Sequence, residues 1–210
     1  MTGRLLIAGV GNIFLGDDGF GVEVASRLAA AELPGWVHVV DYGIRGMHLA
    51  YDLANGYDSM ILIDATARGG EPGTVYVIEP DLAGVAAAGP DGNATAANAT
   101  AGNATAGNGA AGNGAAGNAL ADNPLFNAHG MQPDVVFGML GMLDAGARQV
   151  LVVGCEPASL DYNMGLSEPV AAAVDEAVRV VLDLVASAAA SGEEHHLITK
   201  EWSYVPRDSG

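Results

Sequence analysis

Short apolar runs alternate with longer amphipathic segments along most of the chain. Short continuous apolar runs are typical of strands buried on both faces of a parallel sheet, whereas apolar positions that recur about every three to four residues indicate helices. The pattern predicts the order strand, helix, strand, helix, strand, strand, helix, strand, helix. The bounds are about Arg4–Ala8, Asp18–Leu33, Val37–Val40, Gly46–Asn55, Ser59–Ile63, Thr74–Ile78, Pro133–Ala145, Gln149–Val153 and Glu168–Ala189.

Turn residues and linker lengths refine this order. Pro34 ends the first predicted helix, and Ser167 is placed to cap the last one. Only Ala65–Gly73 separates the third and fourth predicted strands, which is too short for a crossover helix, so the fourth strand should run antiparallel. The sequence therefore predicts an α/β fold: a three-layer α/β/α domain with a mixed, mostly parallel five-stranded sheet.

A low-complexity insert interrupts this pattern. Residues 92–121 are pentapeptide units such as Gly-Asn-Ala-Thr-Ala, with no charge and almost no large apolar side chain. Such a segment cannot bury enough surface to offset the entropy lost on ordering, which predicts a disordered insert at about 85–122. The alternative is a β-solenoid, whose inward positions could be filled only by Ala and Thr. A single domain over 1–190 and a polar tail over 191–210 complete the organisation.

Acidic residues dominate the charge of the chain. It carries 25 Asp and Glu residues against 8 Lys and Arg residues, and its formal net charge is −17. This balance argues against binding to the nucleic-acid backbone and against an anionic membrane surface. Four charged residues interrupt the longest apolar segment, 170–190, so it should form an amphipathic surface helix and not a membrane span.

The N-terminus leads directly into the first predicted strand, without the apolar stretch and cleavage site of a secretory signal. We therefore expect a cytoplasmic protein. The sequence leaves the oligomeric state open, and a monomer is the expectation. The single cysteine, Cys155, excludes a disulfide framework within the chain. Cys155 follows the last predicted strand beside Glu156 and without a nearby histidine, which favours a small packed residue over a catalytic thiol.

The turn after the first strand carries unusual chemistry. Glycine turns at such a junction commonly bind phosphate, but this one carries the adjacent carboxylates of Asp17 and Asp18, which repel phosphate. Phe14 also stands where a dinucleotide fingerprint needs its third glycine, and no Walker lysine follows. The turn therefore indicates a cation or hydrolytic site, and a nucleotide-binding module is the weaker alternative.

Two further acids follow neighbouring strands. Asp41 comes after the second strand and Asp64 after the third, so with Asp18 they should meet at the carboxyl edge of the sheet. Each acid could instead cap a turn or a helix. His129 precedes the predicted third helix and could reach the same edge. Carboxylates with one imidazole suit nickel, zinc, iron or manganese and leave coordination positions open.

Taken together, these motifs resemble the hydrogenase maturation proteases, the endopeptidases that trim the C-terminus of the large subunit of nickel–iron hydrogenases. The similarity covers about residues 3–80 and 124–190. The matching pieces are Gly9-Val10-Gly11-Asn12, Asp17-Asp18-Gly19-Phe20-Gly21, Asp41-x-Gly43-x-x-Gly46-Met47, Ile63-Asp64-Ala65, His129-Gly130, Val153-Gly154-Cys155-Glu156-Pro157 and Gly165-Leu166-Ser167.

The resemblance implies that Asp18, Asp64 and His129 contact nickel. It also implies that the nickel arrives with the precursor of the large subunit and is not tightly bound by the free enzyme. A carboxylate could act as general base for the attacking water, and Asp41 is the candidate for that role. Asp17 is expected to be a turn or helix-cap residue. A non-catalytic, nickel-recognising assembly factor on the same fold is the alternative function.

Overall fold

The structure is a computed structural model that describes residues 3–54, 56–80 and 149–190. The repeat insert, His129, the predicted helix at Pro133–Ala145 and the C-terminal tail lie outside the described residues. Five strands are present in this part of the chain: Leu5–Val10 (β1), Val37–Gly43 (β2), Ser59–Ala65 (β3), Val75–Ile78 (β4) and Gln149–Cys155 (β5). The helices are Phe20–Ala29 (α1), Gly46–Ala54 (α2) and Glu168–Ala190 (α3), with a short 3-10 helix at Gly16–Gly19.

The five strands form one sheet in the order β2-β1-β3-β5-β4. Strand β1 pairs in parallel with β2 and β3, and β3 pairs in parallel with β5. Strand β4 runs antiparallel to β5, as the short linker between β3 and β4 predicts. The mixed, mostly parallel five-stranded sheet is therefore confirmed.

Helices cover both faces of the sheet. On one face, alternate strand residues such as Ile7 and Ile61 pack with Val24 of α1 and Val174 of α3. On the other face, the intervening residues such as Leu62 pack in a cluster that includes α2. Because strands buried on both faces have no polar side to expose, their runs are continuously apolar. The predicted three-layer α/β/α architecture is confirmed, and no helix among the described residues is long and apolar enough to cross a membrane.

Element ends differ from the predictions where the site lies. Asp41 and Asp64 lie within the last residues of β2 and β3, not after them, because both strands pair beyond their apolar runs. Helix α1 ends at Ala29, four residues before Leu33. The N–H groups of Ala30 and Ala31 donate to carbonyls three residues back, so the last turn tightens well before Pro34.

Candidate active site

Glycines fold the turn after β1 back over the end of the sheet. Gly11 has φ of 127°, and a Cβ there would lie 1.8 Å from the carbonyl oxygen of Asp18. A Cβ on Gly21 would lie 2.2 Å from the carbonyl oxygen of Ile63, so α1 begins in direct contact with β3. The backbone N–H of Asn12 donates to Asp18 Oδ2 at 2.6 Å. This close packing brings Asp18 to the carboxyl end of β3.

Asp64 is the second acid at this place. Its side chain is only 2% exposed, and its Oδ1 has no hydrogen-bond partner among the described residues. Burial and then the negative charge of Asp18 raise the pKa of Asp64 well above its ordinary value. Burial also raises the pKa of Asp18, against the hydrogen bond from Asn12. The structure therefore brings these two carboxyl groups together in a setting that favours a proton or a cation beside them.

Asp17 has the opposite environment. Burial alone would raise its pKa, but hydrogen bonds from the segment after β5 together lower it below its ordinary value. The donors are the N–H groups of Ala158, Ser159 and Ser167 and the hydroxyl of Ser167. Asp17 therefore joins the turn after β1 to the segment that leads into α3, where the predicted cap Ser167 gives its hydroxyl to Asp17.

Glu156 plays a similar part for the loop after β3. Its carboxylate accepts hydrogen bonds from the N–H groups of Arg68 and Gly69 and from the hydroxyl of Tyr76. Burial alone would raise the pKa of Glu156, but these hydrogen bonds outweigh it and lower the pKa below its ordinary value. Sequence reasoning missed this role of Glu156 and predicted Asp17 only as a turn or helix-cap residue, because the hydrogen-bond partners are far apart in the chain. Asp17 and Glu156 therefore each hold a loop through several hydrogen bonds, whereas Asp18 and Asp64 are poorly compensated.

Asp41 is not part of this pair. It is exposed on the edge strand β2, level with Gly9 of β1. Val39 packs on one core and Val40 and Tyr42 on the other, so the alternation of β2 puts Asp41 on the face opposite that of Asp64 and Leu62. In the described ranges, no group of three or more His, Cys, Asp or Glu residues is placed to hold a metal ion. His129 lies outside those ranges, so its place at the site stays a prediction.

The pair fits part of a metal-contacting set. Two carboxyl groups with raised pKa values supply oxygen ligands, and Asp64 Oδ1 is a buried atom that still lacks a partner in the described part of the chain. Two carboxylates supply too few ligands to fill the coordination sphere of a divalent cation. A cation bound here would therefore have open coordination positions for other ligands. The arrangement suits recognition of a metal that comes with its own ligands.

Cys155 is unsuited to catalysis. Its side chain is fully buried, and burial together with nearby carboxylates, first Asp17, raises the pKa of the thiol to about 12. The thiol is therefore protonated at neutral pH and unreactive. We expect Cys155→Ala to keep the activity of the wild type within about twofold, and iodoacetamide at about pH 8 to label the thiol only in denaturant. Labelling of the folded protein that abolishes its activity would contradict this assignment.

Comparison with known proteins identifies the family. A Methanocaldococcus jannaschii protein named as a hydrogenase maturation protease is 31% identical over 182 residues, which is 85% of this chain and 94% of the relative. The chain belongs to the hydrogenase maturation protease family. The family model for hydrogenase maturation protease matches residues 22–86, a range that holds Asp41 and Asp64. The resemblance seen in the sequence motifs is thereby confirmed.

Solved structures of hydrogenase maturation proteases have the same fold. The hydrogenase maturating endopeptidase HybD of Escherichia coli is 26% identical with a TM-score of 0.59, covering 90% of this chain and 94% of HybD. The hydrogenase 2 maturation peptidase of a Thaumarchaeota archaeon is 27% identical with a TM-score of 0.55, covering 86% of this chain and 96% of that one. The protein is accordingly a peptidase of hydrogenase maturation by family.

Proposed function

We propose that this protein removes the C-terminal peptide from a nickel-loaded precursor of a nickel–iron hydrogenase large subunit. The observation that carries the proposal is the pair of half-buried Asp18 and buried Asp64, whose carboxyl groups are not neutralised by any described residue. A substrate that brings a divalent cation would supply the missing charge.

The nickel belongs to the substrate in this proposal. Asp18, Asp64 and the predicted third ligand His129 would contact it, since carboxylate and imidazole donors suit a borderline cation with open positions. Bound nickel would polarise or orient the scissile carbonyl for attack by water. Burial and the charge of Asp18 raise the pKa of Asp64, and the positive charge of a cation beside the carboxyl group would lower it again.

Hydrolysis then needs a base and no protein nucleophile. A carboxylate would take the proton from water as the water attacks the scissile carbonyl, and would return it to the leaving amine. Asp41 is kept as the predicted base because its carboxylate is exposed near the end of β2, although it lies on the face opposite that of Asp64. The buried Cys155 thiol cannot replace it.

The test is incubation with the nickel-loaded precursor, with the mass of the large subunit as readout. We expect loss of the C-terminal peptide with the wild type, and at least about 100-fold slower loss with Asp18→Ala, Asp64→Ala or His129→Ala. Asp175→Ala, an exposed acid on α3, is the matched control and should cleave normally. Asp41→Asn should lower kcat with little change in KM.

Other outcomes would redirect the proposal. Normal cleavage by all three alanine variants would show that the site residues are wrongly assigned. A wild-type protein that binds the nickel-loaded precursor without shortening it would instead be a nickel-recognising assembly factor. Precursor without nickel is the substrate control, and equal cleavage of both forms would remove nickel from the recognition step.

A further inference from the structure

We infer that two loops beside the acid pair form an apolar docking surface for the precursor large subunit, next to its cleaved peptide bond. The docking surface comprises Ile13 and Phe14 from the loop after β1 and Leu160, Tyr162 and Met164 from the segment after β5. The inference rests on the proposed function, because it names where the protein substrate of that same site is held.

The five side chains of the docking surface are exposed. Among the described residues, eight large hydrophobic side chains are exposed, and five of them belong to these two loops. Phe14 is 55% exposed, Tyr162 82% and Met164 68%. Scattered exposed apolar residues need no explanation, but a concentration of them on one surface marks an interaction site.

Backbone contacts join the two loops into one surface. The N–H of Asn163 donates to the carbonyl oxygen of Phe14 at 3.2 Å, and the N–H of Gly16 donates to the carbonyl oxygen of Asn163 at 2.8 Å. Leu15 and Asn163 thus form a parallel bridge, with Phe14 and Tyr162 each one residue before the bridged pair. The exposed side chains of the two loops are therefore neighbours and not separate features.

The surface is held in place from beneath. The carboxylate of Asp17 accepts hydrogen bonds from Ala158, Ser159 and Ser167, at both ends of the segment that carries Leu160, Tyr162 and Met164. The segment is anchored at both ends by the buried carboxylate of Asp17. Its exposed apolar side chains therefore do not result from loose attachment. The apolar side chains are presented on a fixed support, which lowers the entropy lost when a partner binds.

Charge and position identify the occupant. Asp161 is the one charged residue in 11–15 and 157–166, in a protein whose net charge is −17. Interface centres are depleted in charge and enriched in aromatic residues and Met, which matches Phe14, Tyr162 and Met164. The loop of Phe14 also contains Asn12, which donates to Asp18. The docking surface is thus continuous in the chain with the loop that contacts Asp18, which favours a partner that also reaches the acid pair, namely the precursor, over a second copy.

The experiment compares Phe14→Ser and Tyr162→Ser with Tyr51→Ser, a matched change of an exposed tyrosine on α2. We expect KM for the nickel-loaded precursor to rise about tenfold or more for the first two variants, with kcat within about threefold. Tyr51→Ser should stay within about twofold in both, and Tyr162→Phe should restore most of the affinity. Kd measured by calorimetry in the Asp64→Asn background should follow KM.

Three other results would contradict the docking surface, the proposed function or the choice of occupant. Wild-type cleavage with unchanged KM and Kd in both serine variants would refute the docking surface and leave the proposed function standing. Precursor that binds but is never cleaved by the wild type, with weaker binding in both variants, would refute the proposed function alone. A change of oligomeric state by light scattering, or a fall in Tm above roughly 5 °C, would show that a second copy or the rest of this chain covers the surface.

Discussion

Replacing Asp64 by asparagine should stop processing and leave the metal-free protein at least as stable as the wild type at pH 7. The buried Oδ1 of Asp64 lacks a partner among the described residues, and Asp18 adds a like charge, so the ionised form is unfavourable in the folded state. A neutral amide of the same shape relieves this cost, but it is a poorer ligand for a cation. We expect cleavage to fall by roughly 10²–10³-fold or more.

The pH dependence of this effect has a definite sign. The folded-state pKa of Asp64 is raised above the ordinary value of 3.8, so its favourable contribution is complete below that value and is lost as pH rises through the folded-state pKa. The Tm of Asp64→Asn relative to the wild type should therefore increase between about pH 4 and neutrality. Thermal melts with a chelator present would measure it. A clear loss of Tm at pH 7 would mean that Asp64 has a stabilising partner.

Replacing Asp17 by asparagine should instead destabilise the fold at neutral pH by about 2–4 kcal/mol. The carboxylate accepts three N–H groups and one hydroxyl, and an amide would turn its own NH₂ toward some of these donors. For a chain of this size, the expected fall in Tm is on the order of 10 °C. The adjacent Asp18→Asn is the matched control and should not lower Tm.

Lowering the pH should reduce the difference in Tm between Asp17→Asn and the wild type. Because the folded-state pKa of Asp17 lies below 3.8, its contribution is present above that value and is lost as pH falls through the folded-state pKa. Asp17 and Asp64 should thus show opposite trends in paired melts from about pH 3 to pH 7. An Asp17→Asn protein that keeps its Tm but fails to cleave would place Asp17 in the catalytic machinery.

Local rules were sufficient to predict the sheet and the proximity of Asp18 and Asp64. The short linker before β4 predicted its antiparallel direction, and continuous apolar runs predicted strands covered on both faces. Ligands bind at the carboxyl ends of parallel strands, and this rule predicted that Asp18 and Asp64 lie close together. These predictions succeeded because each depends on strand direction and chain length, both of which can be read locally.

What the sequence could not supply depends on contacts between distant segments. The partners of Asp17 lie 141 to 150 residues further along the chain, so its role was predicted only as a turn or cap. The face of Asp41 could have been read from its two-residue spacing with Val39, which packs on the core opposite Tyr42. The register irregularity between β1 and β2 at Gly9 and Val10 has no such local signal.

The sheet order has a consequence for how the protein is made. Strand β5 is the last strand in the described chain, yet it lies between β3 and β4 and is the strand to which β4 pairs. Until β5 has left the ribosome, β3 has an open edge and β4 has no partner among the described strands. The carboxylate of Asp17 likewise lacks the hydrogen bonds from Ser159 and Ser167 until these residues have been synthesised. A nascent chain therefore lacks the central place of β5 in the sheet and the loop contacts of Asp17 until residues 149–167 have left the ribosome.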